Sequence, residues 1–477
     1  MSKKPHSTFF GTLSLIAQPI ILNVLSIPAT AYIIRGLGAS GYGQWTVGTS
    51  LVAATAFLTN LGLRTLFVRD IAQNPDQAAV MLAEQLGLRS VLSVVAGGLA
   101  LLLCKCLHYP PIIVWCVALA AAGLVLSTLV GALNDVLQGL QLLHVLATTS
   151  MVSGLAVTVF SVLAIWYGVG PVGLSLAYLT GPAINLLVLL VYARRLFPVR
   201  VRWSPPRYLA LLRDVRSMGA QVFFSSVQDR IQQLLVPRLV GITPFGYFSA
   251  GLIPANRLLV VPGGLMMYFY SAIASQYGEN KEAATKQVTR FIVLSLVACM
   301  PLALLIAFMA HSVALVLFPK HPSVCQYVIQ TTIWSLPIAA VQYPLVCALQ
   351  ASGRHSEAAR SQMGATILSS ILSFLLVSRL GIPGACWSWL LGNLFSLIFV
   401  VPLFARSFPS VLSDIPFGRI LMSTAMMALL LVLFKGSHQH PLLVIVEATV
   451  SGLAVYISAL LLLRVVIASD ITRSLAR

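Results

Sequence analysis

The stretch Arg35-Gly-Leu-Gly-Ala-Ser-Gly-Tyr-Gly43 (RGLGASGYG) holds four glycines in nine residues and separates two long apolar runs. Glycine accepts backbone angles that other residues resist, so the stretch reads as a tight turn. Its GxGxxG-like spacing would also suit a phosphate-binding loop. Recurrence decides between the two. A shift of 203 residues lays Arg35-Gly-Leu-Gly-Ala-Ser-Gly-Tyr-Gly-Gln-Trp45 on Arg238-Leu-Val-Gly-Ile-Thr-Pro-Phe-Gly-Tyr-Phe248, so that Arg35, Gly38 and Gly43 meet Arg238, Gly241 and Gly246. Gly170-Pro-Val-Gly173 meets Gly381-Ile-Pro-Gly384 at a shift of 211, and Leu137-Gln138 meets Leu349-Gln350 at 212. The shift grows slowly, as small loop insertions would make it. No strand precedes the first copy, as a nucleotide loop requires, so the motif reads as a duplicated hairpin turn.

The flanking runs set the class. Of 477 residues, 58% are hydrophobic and 9% charged, with a mean hydropathy of +0.92. Soluble domains carry about 25% charged residues. The composition is that of a multi-span membrane protein, and a helical one, because its runs far exceed the roughly ten residues of a membrane strand. Fourteen apolar segments are read: 12–34, 44–64, 86–107, 112–138, 146–168, 171–193, 218–240, 247–274, 291–317, 326–351, 363–379, 384–404, 418–435 and 441–467. Most approach the ~20 residues that span a bilayer. Lys3, Lys4 and the later Pro28-Ala29-Thr30-Ala31 loosely resemble a secretory signal. The length of the first run, with Gln18 and Asn23 inside it, favours a retained span.

The formal net charge is +18. No soluble basic domain exists to bind nucleic acid, and cytoplasmic loops of membrane proteins collect Lys and Arg. With the N-terminus placed inside, inner segments hold 22 Lys and Arg and outer segments hold 6, while Arg230 and Arg257 fall within spans. The bias orients the chain with both ends in the cytoplasm. The most basic segment, 194–217, contains Pro205-Pro206 and an amphipathic piece from Tyr208 to Val215. It reads as a linker on the anionic inner leaflet, or as a topology signal alone. Seven cysteines (Cys104, Cys106, Cys116, Cys299, Cys325, Cys347 and Cys386) have no zinc-binding spacing and read as small apolar fillers. The histidines have no pairs at metal spacing, and no metal or cofactor is expected. No Walker sequence, HExxH or GxSxG occurs, and no loop is longer than 194–217, so an enzyme is not expected.

Six spans per copy is an even number, so both copies keep one orientation. Two six-helix lobes related by a pseudo-two-fold axis along the membrane normal form a transporter architecture. The expected fold is all-α, with about 14 transmembrane helices: an N-terminal lobe at 1–204, a C-terminal lobe at 205–404, and two further spans within 405–477.

At the repeated residues the chain resembles a known family. RGLGASGYGQW, LTNLGLRTLFVRDIAQ (58–73), SVQDRIQQLLVPRLVG (226–241) and LQASGRHSEAARSQ (349–362) are similar to the polysaccharide-export flippases of the multidrug/oligosaccharidyl-lipid/polysaccharide exporter superfamily. The resemblance covers nearly the whole chain. It implies movement of a lipid-linked oligosaccharide, of the undecaprenyl-pyrophosphate type, from the inner to the outer leaflet of a bacterial cytoplasmic membrane. It also implies rocking of two lobes around a central cavity, in surface-polysaccharide synthesis such as that of O-antigen. Membrane lipids, a polysaccharide polymerase and chain-length proteins are the partners it suggests.

A sugar headgroup cannot cross hydrocarbon unaided, because its polar groups would lose water without replacement. Span seven offers a polar face. At about 100° per residue, Gln221, Ser225, Gln228, Asp229 and Gln232 cluster on one side, with Ser226 and Gln233 just beyond. Arg230 and Arg257 are expected to attract phosphate, and Asp229 to pair with an arginine or to titrate; an internal ion pair between two helices is the structural alternative. Asp135, beside Asn134, reads as an interfacial carboxylate or a coupling or ion-pair group. Asn23, Asn60 and Asn185 would line the cavity or bond neighbouring helices. A cation-coupled multidrug exporter of the same superfamily would favour acidic cavity residues without surplus arginine. A membrane glycosyltransferase or polymerase would need a large outer loop.

Overall fold

The computed structural model describes residues 5–140, 142–196, 203–214, 216–278, 280–411, 413–433 and 441–463. The described residues are helical and include no strand. They divide into two compact units, Met1–Gly246 and Tyr247–Arg477. The division at 204/205 read from the repeat concerns duplication, a different property from compactness.

The first unit contains α1 (Pro5–Thr55), a 3-10 turn (Ala56–Thr59), α2 (Leu63–Gln73), α3 (Ala78–Cys106), α4 (Pro111–Gly139), α5 (Leu143–Trp166), α6 (Gly170–Leu196), α7 (Pro205–Asp214) and α8 (Arg216–Leu239), and ends within α9 (Ile242–Gly251). The second continues through α10 (Ile253–Leu258), α11 (Val260–Tyr277), α12 (Lys281–Phe308), α13 (Ala310–Leu317), α14 (Pro322–Thr332), α15 (Ser335–Ala351), α16 (His355–Leu380), α17 (Ile382–Ala405), α18 (Phe417–Leu433) and α19 (Pro441–Leu462). Among the described residues, nine helical stretches are long and apolar enough to cross a membrane, and two shorter apolar helices follow at Phe417–Val432 and Thr449–Leu462. The chain is a multi-pass helical membrane protein.

The duplicated motif appears in the backbone itself. Gly38 and Gly241, which the repeat aligns, have φ of +65° and +113°, and each interrupts the helix it sits in or follows. Gly170 and Gly381, the second aligned pair, have φ of +70° and +65° and start α6 and α17. A side chain would strain all four positions. The expected nine-residue turn at 35–43 is shorter than the composition suggests. Only Gly38 leaves helical geometry, and the helix resumes directly after it. One left-handed glycine redirects the chain, so the other glycines serve another purpose.

That purpose is close approach. A Cβ on Gly43 would overlap the carbonyl oxygen of Ile242, and one on Gly246 would overlap the carbonyl oxygen of Ala39. The 203-residue shift carries Ala39 to Ile242 and Gly43 to Gly246, so the contact maps onto itself, as an isologous interface does. Backbone meets backbone here with no side chain between, the packing that small residues permit in membranes.

The segment expected at 247–274 is broken into three helical pieces, separated at Leu252 and Leu259. Pro254 and Pro262 lack the N–H that would continue the ladder. The basic segment carries a helix of its own. Its α7 docks on the protein, with Tyr208 and Leu211 buried in a core shared with Leu82, Leu86, Leu189 and Ala193. In the second unit, α18 and α19 pack on α12 and α13 through Leu305, Met309, Met427, Leu431, Tyr456 and Leu460. Six cysteines are buried and Cys106 is exposed, all unbridged, in line with the filler role.

Candidate functional site

The polar face of span seven lies on α8, and the structure splits it. Gln228, Gln232 and Gln233 are buried, Ser225 and Ser226 are half-buried, and Asp229 is exposed. Gln221 occupies its helical position, but its side chain lies outside the described residues. Gln233 proves central. Its Oε1 accepts from the Ser50 hydroxyl of α1 at 3.0 Å and from Arg230 Nη1 at 2.8 Å. In a span these bonds replace water, so α8 is bound to α1 by polar contacts and Arg230 is oriented by its own helix. The sequence placed Gln233 at the margin of the face; its helical spacing three residues after Arg230 carried the signal.

A second polar group joins α3 to α4. Arg89 Nη2 donates to Asp135 Oδ2 at 2.6 Å, and both residues are buried, at 4% and 2% exposure. Arg89, one of the 22 charges assigned to the inner side, lies inside α3 and is buried. Arg64, at the start of α2, places Nε 3.6 Å from Asp135 Oδ1, while its Nη2 donates to Gln138 Oε1 at 2.9 Å. One carboxylate thus serves a buried and an exposed guanidinium. Asp135 is therefore a buried ion-pair residue. A Cβ on Gly131 would lie 3.2 Å from Arg89 Nη1, so glycine leaves the cation its room. Gln85, one turn before Arg89, is fully buried, and its amide has no hydrogen-bond partner among the described residues. The signal for this group was the buried stripe Gln85, Arg89 and Ser93 at helical spacing.

The remaining candidates are scattered. Asn185 is buried on α6, and its Oδ1 has no partner among the described residues. Asn60 Oδ1 accepts from the Arg64 amide at 3.3 Å, which makes it a local helix-start contact. The side chain of Asn23 lies outside the described residues. Arg257 is half-buried on α10, the six-residue piece between the two interruptions, in the second unit. No cluster of His, Cys, Asp or Glu capable of holding a metal occurs among the described residues.

The profile of the family described as "Polysaccharide biosynthesis protein" matches residues 10–272. No curated protein matches the sequence. Among solved structures, the lipid II flippase MurJ in an inward closed conformation is similar with a TM-score of 0.71 at 10% identity, covering 96% of this chain and 100% of that one. An inward-facing multidrug resistance MATE family transporter of the MOP superfamily gives 0.65 at 14%, covering 84% and 99%. A MOP superfamily transporter from Pyrococcus furiosus gives 0.56 at 16%, covering 84% and 95%. At these identities the likeness is one of fold: the chain has the MOP-type transporter fold.

Proposed function

This chain belongs to the polysaccharide biosynthesis protein family, and from that premise we propose that it flips a lipid-linked oligosaccharide across the membrane for surface-polysaccharide assembly. The observation that carries the reading is the family match together with a MurJ-like fold over 96% of the chain. In its full form the proposal has fourteen spans in two six-helix lobes plus two, both ends in the cytoplasm, and alternating access without covalent change. The membrane is the bacterial cytoplasmic membrane. The substrate carries an anionic phosphate, a bulky glycan and a lipid tail that stays in the bilayer.

In this proposal Arg257 and Arg230 attract the phosphate. Arginine suits the task because it stays charged when partly dehydrated and its fork fits phosphate oxygens. Arg257 stands on α10 between Pro254 and Pro262, each of which removes an N–H from the helical ladder. Asp229 holds an arginine while the site is empty and yields it to phosphate. Gln221, Gln228, Gln232 and Asn185 contribute hydrogen bonds to the substrate path. The multidrug-exporter reading is the competitor, favoured by the MATE likeness.

Purified protein in liposomes tests the proposal. A fluorescent lipid-linked oligosaccharide should move between leaflets and be recovered intact. Movement of cationic drugs in its place would establish the competitor, and new glycosidic bonds made by the protein alone would establish an enzyme.

A further inference from the structure

We infer that α7, with Trp203 just before it and Arg194 and Arg195 at the end of α6, forms a docking surface for anionic phospholipid headgroups, a binding function separate from transport of a glycan. Its place in the fold comes first. Tyr208 and Leu211 of α7 share a core with Leu189 and Ala193, which lie within the last two turns of the spanning helix α6. α7 therefore lies at the level where α6 leaves the membrane. It is also held there. Arg207 Nε reaches Glu84 Oε2 of α3 at 3.5 Å, on one flank of the helix.

The opposite flank is uncovered. Leu209 is 70% exposed and Trp203, just before the helix, is 64% exposed. Arg213 follows Leu209 by four residues, on the same flank, and is exposed, as are Arg194 and Arg195 at the end of α6. Large apolar side chains do not face water at this level without cost, while arginine beside them can stretch toward headgroups. Tryptophan favours the boundary between hydrocarbon and headgroup. The pattern is that of an interfacial helix with one side on protein, one flank in lipid and its cations among phosphates. Each arginine near an anionic surface adds to the attraction. Glu84 is engaged by Arg207 on the far flank, and the side chain of Asp214, the last residue of α7, lies outside the described residues. Arg194, Arg195 and Arg213 outnumber that one carboxylate, and the resulting positive charge matches a phosphate layer and repels a second basic surface.

The full-length protein in nanodiscs tests this with brominated phospholipids as quenchers. The difference in tryptophan fluorescence between the wild type and Trp203→Phe isolates the Trp203 component. Brominated phosphatidylglycerol should quench that component at least twofold more than brominated phosphatidylcholine at equal mole fraction. The preference should vanish in Arg194→Ala/Arg195→Ala/Arg213→Ala, and Leu209→Glu should weaken quenching by both lipids. Quenching of Trp203 by aqueous acrylamide, with no effect of either lipid, would overturn the inference in favour of a water-facing or protein-binding surface. Equal quenching by the two lipids would overturn the anionic preference. Should the triple variant fail to fold, the wild type in high salt decides the same point, because screening must erase the preference. None of these readouts depends on transport, so the flippase proposal and this one fail separately.

Discussion

Arg89 and Asp135 show how much a single buried pair can hold. With side chains 5% and 3% exposed, removing one partner strands a charge in a membrane helix, a loss of about 3–5 kcal/mol. Arg64 meets the same carboxylate from a side chain 56% exposed, and such surface pairs contribute about 1 kcal/mol or less. Arg89→Ala should therefore lower the unfolding midpoint in detergent far more than Arg64→Ala, and the double variant Arg89→Met/Asp135→Leu should recover much of the loss. Equal midpoints for Arg89→Ala and Arg64→Ala would remove the buried pair from the list of stabilising contacts. Arg257 belongs to a different test. Arg257→Ala should abolish flipping while the protein inserts and folds, and Arg257→Lys should keep part of the activity because charge remains and the fork is lost. Normal transport by Arg257→Ala would end its assignment to the phosphate. The two arginines within spans, Arg230 and Arg257, were legible as isolated charges in apolar runs. Arg89 was not, because it lies only four residues into the segment read at 86–107, where a span-end arginine bound for the headgroups and a buried one look alike.

Helices and turns decide what glycine does. In an open helix interior, glycine costs up to about 1 kcal/mol relative to alanine. Gly98 of α3 is such a place, with nothing within 4 Å of a built Cβ, so Gly98→Ala should stabilise. Gly43 and Gly246 sit in helices too, yet their Cβ positions are filled by the carbonyls of Ile242 and Ala39. Gly43→Ala and Gly246→Ala should both destabilise, and by similar amounts, because the contact is symmetric. Thermal unfolding of the three variants checks the opposite signs; stabilisation at Gly43 would mean that the two turns are not in close contact. Propensity is the smaller effect here, and steric overlap with backbone, which cannot rotate away, is the larger one. The repeat was readable because its glycines are required twice for the same backbone reason. The self-mapping contact was not readable, since nothing in a one-dimensional motif says that its two copies touch.

For the whole molecule, orientation rests on charge. We propose, from 22 Lys and Arg on one side against 6 on the other, that both ends and residues 194–217 lie in the cytoplasm. Single cysteines introduced in otherwise cysteine-free protein at Ser40, Pro205 and Thr243 report on this in intact cells with an impermeant maleimide. Ser40→Cys and Thr243→Cys should label and Pro205→Cys should not. Labelling at Pro205→Cys, or protection at both other sites, would reverse the orientation.

Hydropathy, charge bias and the duplicated glycines by themselves determined an all-helical, multi-span, internally repeated protein, because these properties follow from a residue's solvent preference and backbone freedom and need no partner. The tertiary structure decided the rest. It buried Arg89 against Asp135, placed Gln233 between Ser50 and Arg230, and seated α7 on the end of α6. Each of these joins residues far apart in the chain or on different faces of a helix. Pairing energy depends on distance and on exclusion of water, and both are set only when helices pack.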